Sequence, residues 1–169
     1  MFREMRRIKQ QISQEECIEI LTRATSGVLA LSGDDGYSYA VPVSFAYEDG
    51  KICFHGAKKG HKVDAIRKND KVSFCVIDQD VVMPKERTTK YCSVIAFGRA
   101  RILEDAQEIR NSAVLLGEKY SRDYRDLYEK EIEETMKAGS LCCVEITIEH
   151  LTGKIGRQLM LERQRKDKQ

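Results

Sequence analysis

Apolar residues recur along this chain in two periods, and the places where the period changes divide it into elements. Ser13 followed three residues later by Glu16 has the spacing of a capping box. Cys17, Ile20, Leu21 and Ala24 then repeat on one helical face, which predicts a helix over about 13–25. After Gly27 the pattern shortens: Val28-Leu29-Ala30-Leu31 is an apolar run closed by Gly33-Asp34-Asp35-Gly36, a strand followed by turn chemistry. Tyr37, Tyr39, Val41, Val43, Phe45 and Tyr47 occupy alternate positions, and Asp49-Gly50 turns the chain into Ile52-Cys53-Phe54-His55. Val63 and Ile66 mark a short helical stretch after Gly60.

Residues 72–77 read as a fourth strand, 79–90 as a polar loop, and 93–103 as a long fifth strand interrupted by Gly98, where a bulge or close backbone approach is expected. The charged segment 105–138 carries Ile109, Ala113, Leu116 and Tyr120, then Tyr124, Leu127, Tyr128, Ile132 and Met136, at spacings of three and four, so two helices or a kinked pair are predicted. Residues 141–148 return to strand alternation. Without strand-helix-strand alternation, this order predicts a mainly β fold, a six-stranded antiparallel barrel with peripheral helices.

Composition narrows this further. A chain of 169 residues, 41% hydrophobic and 33% charged with two prolines, suits one globular domain over 1–169. The formal charge of +2 conceals an uneven distribution: residues 1–10 hold four bases and one acid, and 155–169 five bases and two acids. With no aromatic residues interleaved in the basic C-terminal tail (about 157–169), solvated ends rather than nucleic-acid or membrane partners are expected. The six cysteines lack a scaffold spacing and mostly lie in apolar runs, and no signal peptide precedes them, so buried thiols in a cytoplasmic protein are expected. No metal site is expected from three histidines without a Cys-x-x-Cys pair, and phosphate-loop and nucleophile-elbow motifs are absent.

Candidate chemistry lies in three strand-borne segments. Pro42, within Tyr39-Ala-Val-Pro-Val-Ser-Phe45, removes a ladder donor, which suits either an ordinary edge strand or a strand whose backbone meets a planar ligand. Phe54-His-Gly-Ala-Lys-Lys-Gly-His-Lys62 ends a strand in glycines, histidines and lysines before a helix; it is either a solvated basic loop or an anion site in which Lys62 or His61 adds charge to helix N-terminal amides. Tyr91 and Ser93 share a face where the fifth strand begins.

In order and spacing, these segments resemble the pyridoxamine 5′-phosphate oxidase-like flavin-binding split barrels, and within them the nitroimidazole-resistance branch. The resemblance rests on Arg3-x-x-Arg6-Arg7, Gly27-Val-Leu-Ala30, Asp35 to Val43, Asp49-Gly50-Lys51, Phe54-His55-Gly56-Ala57-x-x-Gly60-x-Lys62, Tyr91-x-Ser93-Val94 and Phe97-Gly98, with Gly153-Lys154 as a tail match. It implies a split β-barrel that forms a homodimer, with FMN at the interface touched by both chains. Carried over by residue, Pro42, Val43 and Ser44 lie along the flavin ring, His55, Gly56 and Ala57 near the ring and ribityl chain, and Gly60, His61 and Lys62 at the phosphate. Tyr91 and Ser93 close the site, and Lys154 joins the cofactor-binding set.

The implied activity is reduction of a small-molecule acceptor, with His55 as the catalytic candidate. The segment Gly153-Lys154-Ile155-Gly156-Arg157 departs from the Arg-x-His-type segment with which true pyridoxamine phosphate oxidases hold their substrate, so vitamin synthesis is not expected. The alternatives are a haem-handling protein using His55, His61 or His150, and a non-catalytic flavin sensor or store; a deazaflavin is a variant of the first reading.

Overall fold

Among the described residues, 2–166 of the computed structural model, seven strands form one wholly antiparallel sheet. They are β1 (Ser26–Ser32), β2 (Ser38–Ser44), β3 (Ala46–Glu48), β4 (Lys51–Gly56), β5 (Lys71–Met83), β6 (Thr88–Ile102) and β7 (Cys142–Ile155). The helices are α1 (Gln14–Arg23), α2 (His61–Lys68), α3 (Ala106–Tyr120), α4 (Arg125–Lys137) and α5 (Arg157–Lys166). The capping box forms as read: the Ser13 hydroxyl accepts from the Glu16 N–H at 3.1 Å.

The extra strand comes from the alternating segment 37–47, which breaks at Phe45. The strand order is β2-β1-β5-β6-β7-β4-β3, so the two halves of the broken segment lie at opposite ends of the sheet. One residue therefore joins the two edges, and the split barrel is closed by chain rather than by a ladder. Phe45 has no strand neighbour for its backbone. Its N–H donates to the Tyr120 hydroxyl at 2.9 Å, and the hydroxyl proton faces the carbonyls of Phe45 and Thr25. A side chain at the end of α3 thus satisfies the backbone groups at the break.

Inside the barrel Phe45, Phe54, Phe74, Leu29, Ile52, Val76, Val94 and Ile146 form the core, and α1 plugs it with Cys17, Ile20 and Leu21. Phe45 and Phe74 meet edge to face with centroids 4.8 Å apart. The expected irregularity at Gly98 is present: the register of β6 against β7 shifts between Phe97 and Gly98, and a Cβ on Gly98 would lie 2.2 Å from the Thr147 carbonyl oxygen.

Three extents differ from the sequence reading. The segment 79–90 is mostly not a loop, since Gln79–Met83 pairs with Cys92–Thr88 across a turn at Pro84–Arg87. Its β-branched Val81, Val82, Thr88 and Thr89 favour strand, but its apolar side chains face solvent, which hid the burial alternation. The strand expected over 141–148 runs on as β7 to Ile155. The basic tail begins as α5, held by Lys90–Glu162 at 2.6 Å and by Arg163–Glu16; residues 167–169 lie outside the described residues.

On the outside of the barrel α3 and α4 form a hairpin over β4, β7 and the end of β6, packing Ala113, Tyr128 and Ile132 on Leu103 and Cys143. Beyond the hairpin the outer sheet face carries exposed Val28, Ile77 and Ile95, and Phe97 with the Phe2 ring against it. No helix among the described residues is long and apolar enough to cross a membrane.

All six thiols are free, and five are buried. Burial pushes Cys17 and Cys143 up to about 11, and raises Cys53, Cys75 and Cys92 as well. A raised folded-state pKa adds stability below the ordinary thiol value of 9.0 that is lost as pH climbs toward 11. Lys119 works in the opposite sense, because burial lowers it from 10.5 to about 8, but it is one amine against five thiols. The thermal midpoint is therefore expected to fall between pH 9 and 11, and a thiol reagent at pH 8 to react slowly until the protein is unfolded. A flat midpoint with fast titration of all six native thiols would contradict this packing.

Candidate functional site

The loop from β4 to α2 has the geometry of an anion cradle. Gly60 precedes the helix with φ at +129°, a region that strains any side-chain-bearing residue. No side chain caps α2, so its first amides are open, while the N–H groups of Val63 and Asp64 turn back to the Gly60 carbonyl. Lys62 returns across the loop until its Nζ lies 3.1 Å from where a Gly56 Cβ would stand. Among the described residues this ammonium has no carboxylate or hydrogen-bond partner, so Lys62 over Gly56, beside the turn at Gly60, makes an open cationic loop.

His61 goes elsewhere. It stacks on Tyr39 with centroids 4.0 Å apart, and its Nε2 lies 3.5 Å from Asp34, which also binds Lys68 at 2.7 Å. Seven residues apart on α2, His61 and Lys68 share the face toward Asp34, and Lys62 is a helical step around from it. Lys68 holds the Asp34 carboxyl below its ordinary range. Ala57 is exposed in the loop.

β2 is a true edge, pairing only with β1, and Pro42 stands opposite Val28. Val43 points to the core, whereas Pro42 and Ser44 point outward. At the break after Ser44 lies a cavity of about 330 Å³, walled on one side by Ser44 and His55 and on the other by the α3–α4 hairpin. The His55 imidazole has no hydrogen-bond partner among the described residues. Burial raises the Tyr120 phenol at the cavity's inner end.

Tyr91, Ser93 and Lys154 form a separate group. Ser93 is the register partner of Lys154, whose Nζ sits 5.5 Å over the Tyr91 ring. β6 is three strands from β2 in the sheet, about 14 Å at ordinary strand spacing. A single chain thus gathers Ser44, His55, Gly56, Gly60 and Lys62 at one end and sets Tyr91, Ser93 and Lys154 apart.

Sequence reasoning missed Tyr120 and Glu131, the helical contributions to the cavity. Their period marked helices, but nothing local showed which strand ends those helices meet. It also missed the polar clamp that positions them: Glu145, 8% exposed on β7, accepts from Arg101 Nε at 3.0 Å and Lys51 Nζ at 3.1 Å, and Arg101 forks onto Glu108 of α3. Glu145 falls on the polar side of the β7 alternation, between the core residues Val144 and Ile146, so nothing local marked it as buried. No group of three or more His, Cys, Asp or Glu side chains able to hold a metal occurs among the described residues.

An antiparallel split barrel with an open cationic loop beside an outer cavity defines the structural class. The profile of the family described as Pyridoxamine 5'-phosphate oxidase matches residues 13–155, and the chain belongs to that family. Solved structures agree on the fold. A Bacteroides thetaiotaomicron protein described as a 5-nitroimidazole antibiotic resistance protein is 20% identical, with 86% of each chain covered and a TM-score of 0.70. A FAD-binding protein from Mesorhizobium loti is 26% identical over 87% of this chain and 97% of that one, with a TM-score of 0.58. A FAD and haem binding protein from Mycobacterium smegmatis is 18% identical over 88% and 74%, with a TM-score of 0.69. No curated protein matches this chain.

Proposed function

We propose that the protein binds a flavin, FMN, and reduces a small acceptor with it, the nitroimidazole-reductase type of activity. The observation that carries this is the unpartnered Lys62 ammonium over Gly56, beside the uncapped amides of α2. A flavin phosphate needs such a cradle, and a side chain at position 56 would fill it. The open outer edge of β2 fits the polar rim of a flavin ring, and the FAD-binding relative at 26% identity supports a flavin in this fold.

A bound flavin supplies electron or hydride transfer to the acceptor. The chain's own residues position it: Lys62 and the α2 amides hold the phosphate, and Pro42 and Ser44 lie along the ring. His55 stands where an acceptor would stack and can donate a hydrogen bond or a proton to a reduced oxygen. The group Tyr91, Ser93 and Lys154 stands apart from this cluster in the sheet, and its contribution is assigned to a second copy of the chain. The outer face with exposed Val28, Ile77, Ile95 and Phe97 is the surface proposed for that homodimer.

The test is an absorption spectrum of the protein as purified, with identification of the released chromophore. Release of FMN is the expected result, and a protein that cannot be reconstituted with FMN would overturn the proposal. A haem band would favour the haem-handling reading instead. His55→Ala is expected to keep the flavin and slow reduction of a nitro acceptor; unchanged turnover would remove His55 from the chemistry.

A further inference from the structure

The cavity beside His55 has an electrostatic character opposite to that of the Lys62 loop. Neither Lys nor Arg lines it, and the carboxylate of Glu131 is its one formal charge apart from any on His55. Glu131 belongs to α4, where Tyr128, Glu131, Ile132 and Thr135 fall at i, i+3, i+4 and i+7 and all line the cavity. A helix stripe that faces a wall of Ala113 and Leu116 would ordinarily be apolar throughout. Here Thr135 and the exposed Glu131 interrupt it, and none of the described residues is a side-chain partner of Glu131. Two of the three cations of α4 are engaged by other acids, Arg125 by Glu118 and Glu129 and Lys130 by Glu134, and the third, Lys137, stands six residues on in the last turn. Glu131 thus stands at the solvent rim of the cavity as its one carboxylate, with no ion pair among the described residues.

We infer that this cavity takes a small planar ligand bearing a cationic or strongly hydrogen-bond-donating nitrogen, and that Glu131 selects it. At about 330 Å³ the cavity is at the small end of ligand pockets, enough for one ring with a short substituent. The apolar wall of Leu116, Ile132 and Leu141 packs on the ring, and Glu131 pairs with the nitrogen. Phosphorylated or carboxylated rings are disfavoured, because no cation in the lining offsets their charge. As the acceptor site of a flavin reductase this inference rests on the function proposed above; as a ligand site it stands on the cavity alone.

Three probes of nearly equal shape separate the possibilities: benzylammonium, benzyl alcohol and benzoate. Their binding is measured by ligand-observed NMR and calorimetry on the flavin-free and FMN-supplemented protein, for the native chain, Glu131→Gln and Glu131→Lys. The expected order is benzylammonium, then benzyl alcohol, then benzoate, with about a tenfold span between the first and last. Glu131→Gln should level the series and Glu131→Lys invert it, with far-ultraviolet dichroism confirming the fold of each variant. No binding, no discrimination among the probes, or the same order in all three chains would overturn the inference. Absence of FMN binding with the probe order intact would instead overturn the flavin reading alone.

Discussion

Arg101→Met is expected to lower the unfolding free energy by roughly 1–2 kcal/mol, between the cost of losing an exposed ion pair and that of losing a buried one, because Glu145 is buried while Arg101 is half exposed. Lys51 still reaches Glu145, which limits the loss. The substitution keeps the apolar stem but leaves Glu145 largely buried beside Glu108, with half the positive charge gone. Because the clamp ties α3 to the sheet, the damage extends to the cavity wall: the loss should appear in denaturant melts and in weaker binding of ring-shaped probes. Arg101 also holds the Glu108 carboxyl below its ordinary range. A lowered folded-state pKa adds stability above the unfolded value that is lost as pH falls, so the native protein should weaken in acid more than the variant does. A melt matching the native one would mean that the clamp contributes nothing net.

Lys62→Ala should weaken FMN by ~1–3 kcal/mol, about 5- to 150-fold in Kd, as expected for loss of a charge-assisted hydrogen bond to phosphate. Titration of flavin fluorescence checks it, with thermal stability changing little because the ammonium has no partner to lose. Unchanged affinity would reassign the phosphate site. The same assay tests the second copy. If each flavin takes Lys62 from one chain and Lys154 from the other, a heterodimer of Lys62→Ala with Lys154→Ala holds one intact site and one doubly impaired site. Half the sites should then bind FMN at native affinity. Two weakened sites, one lacking Lys62 and the other Lys154, with none at native affinity, would place both lysines in the same chain's site.

Much of the fold was legible because its signals are local. The Ser13-Glu16 cap, the alternation from Tyr37 to Tyr47, the helical spacing through 105–138 and the demand at Gly98 each depend on neighbours in sequence. The break at Phe45 was not legible, since its cause is a hydroxyl 75 residues away. The extension of β5 and β6 was hidden for another reason: a ribbon arm leaves its apolar side chains in water, and burial was the signal being read. In the candidate site the Gly56-Gly60-Lys62 loop was readable as a contiguous cation and glycine pattern. The place of His61 was not, because Asp34 and Tyr39, which hold it, come from another segment. The cavity required knowing where α3 and α4 dock, which depends on a clamp drawn from three strands and a helix.

The closure of the barrel at a single residue also bears on how the chain reaches this state. β1 with β2, and β3 with β4, are short-range hairpins on either side of Phe45, so both margins of the sheet can form from one continuous stretch of 31 residues, Ser26 to Gly56. The pairings of β1 with β5 and of β4 with β7 span far more sequence and carry the greater loop-closure entropy. Folding should therefore be limited by β7, which is synthesised last of the strands and must enter between β6 and β4. Until β7 inserts, the margin hairpins exist as local structure without an enclosed interior.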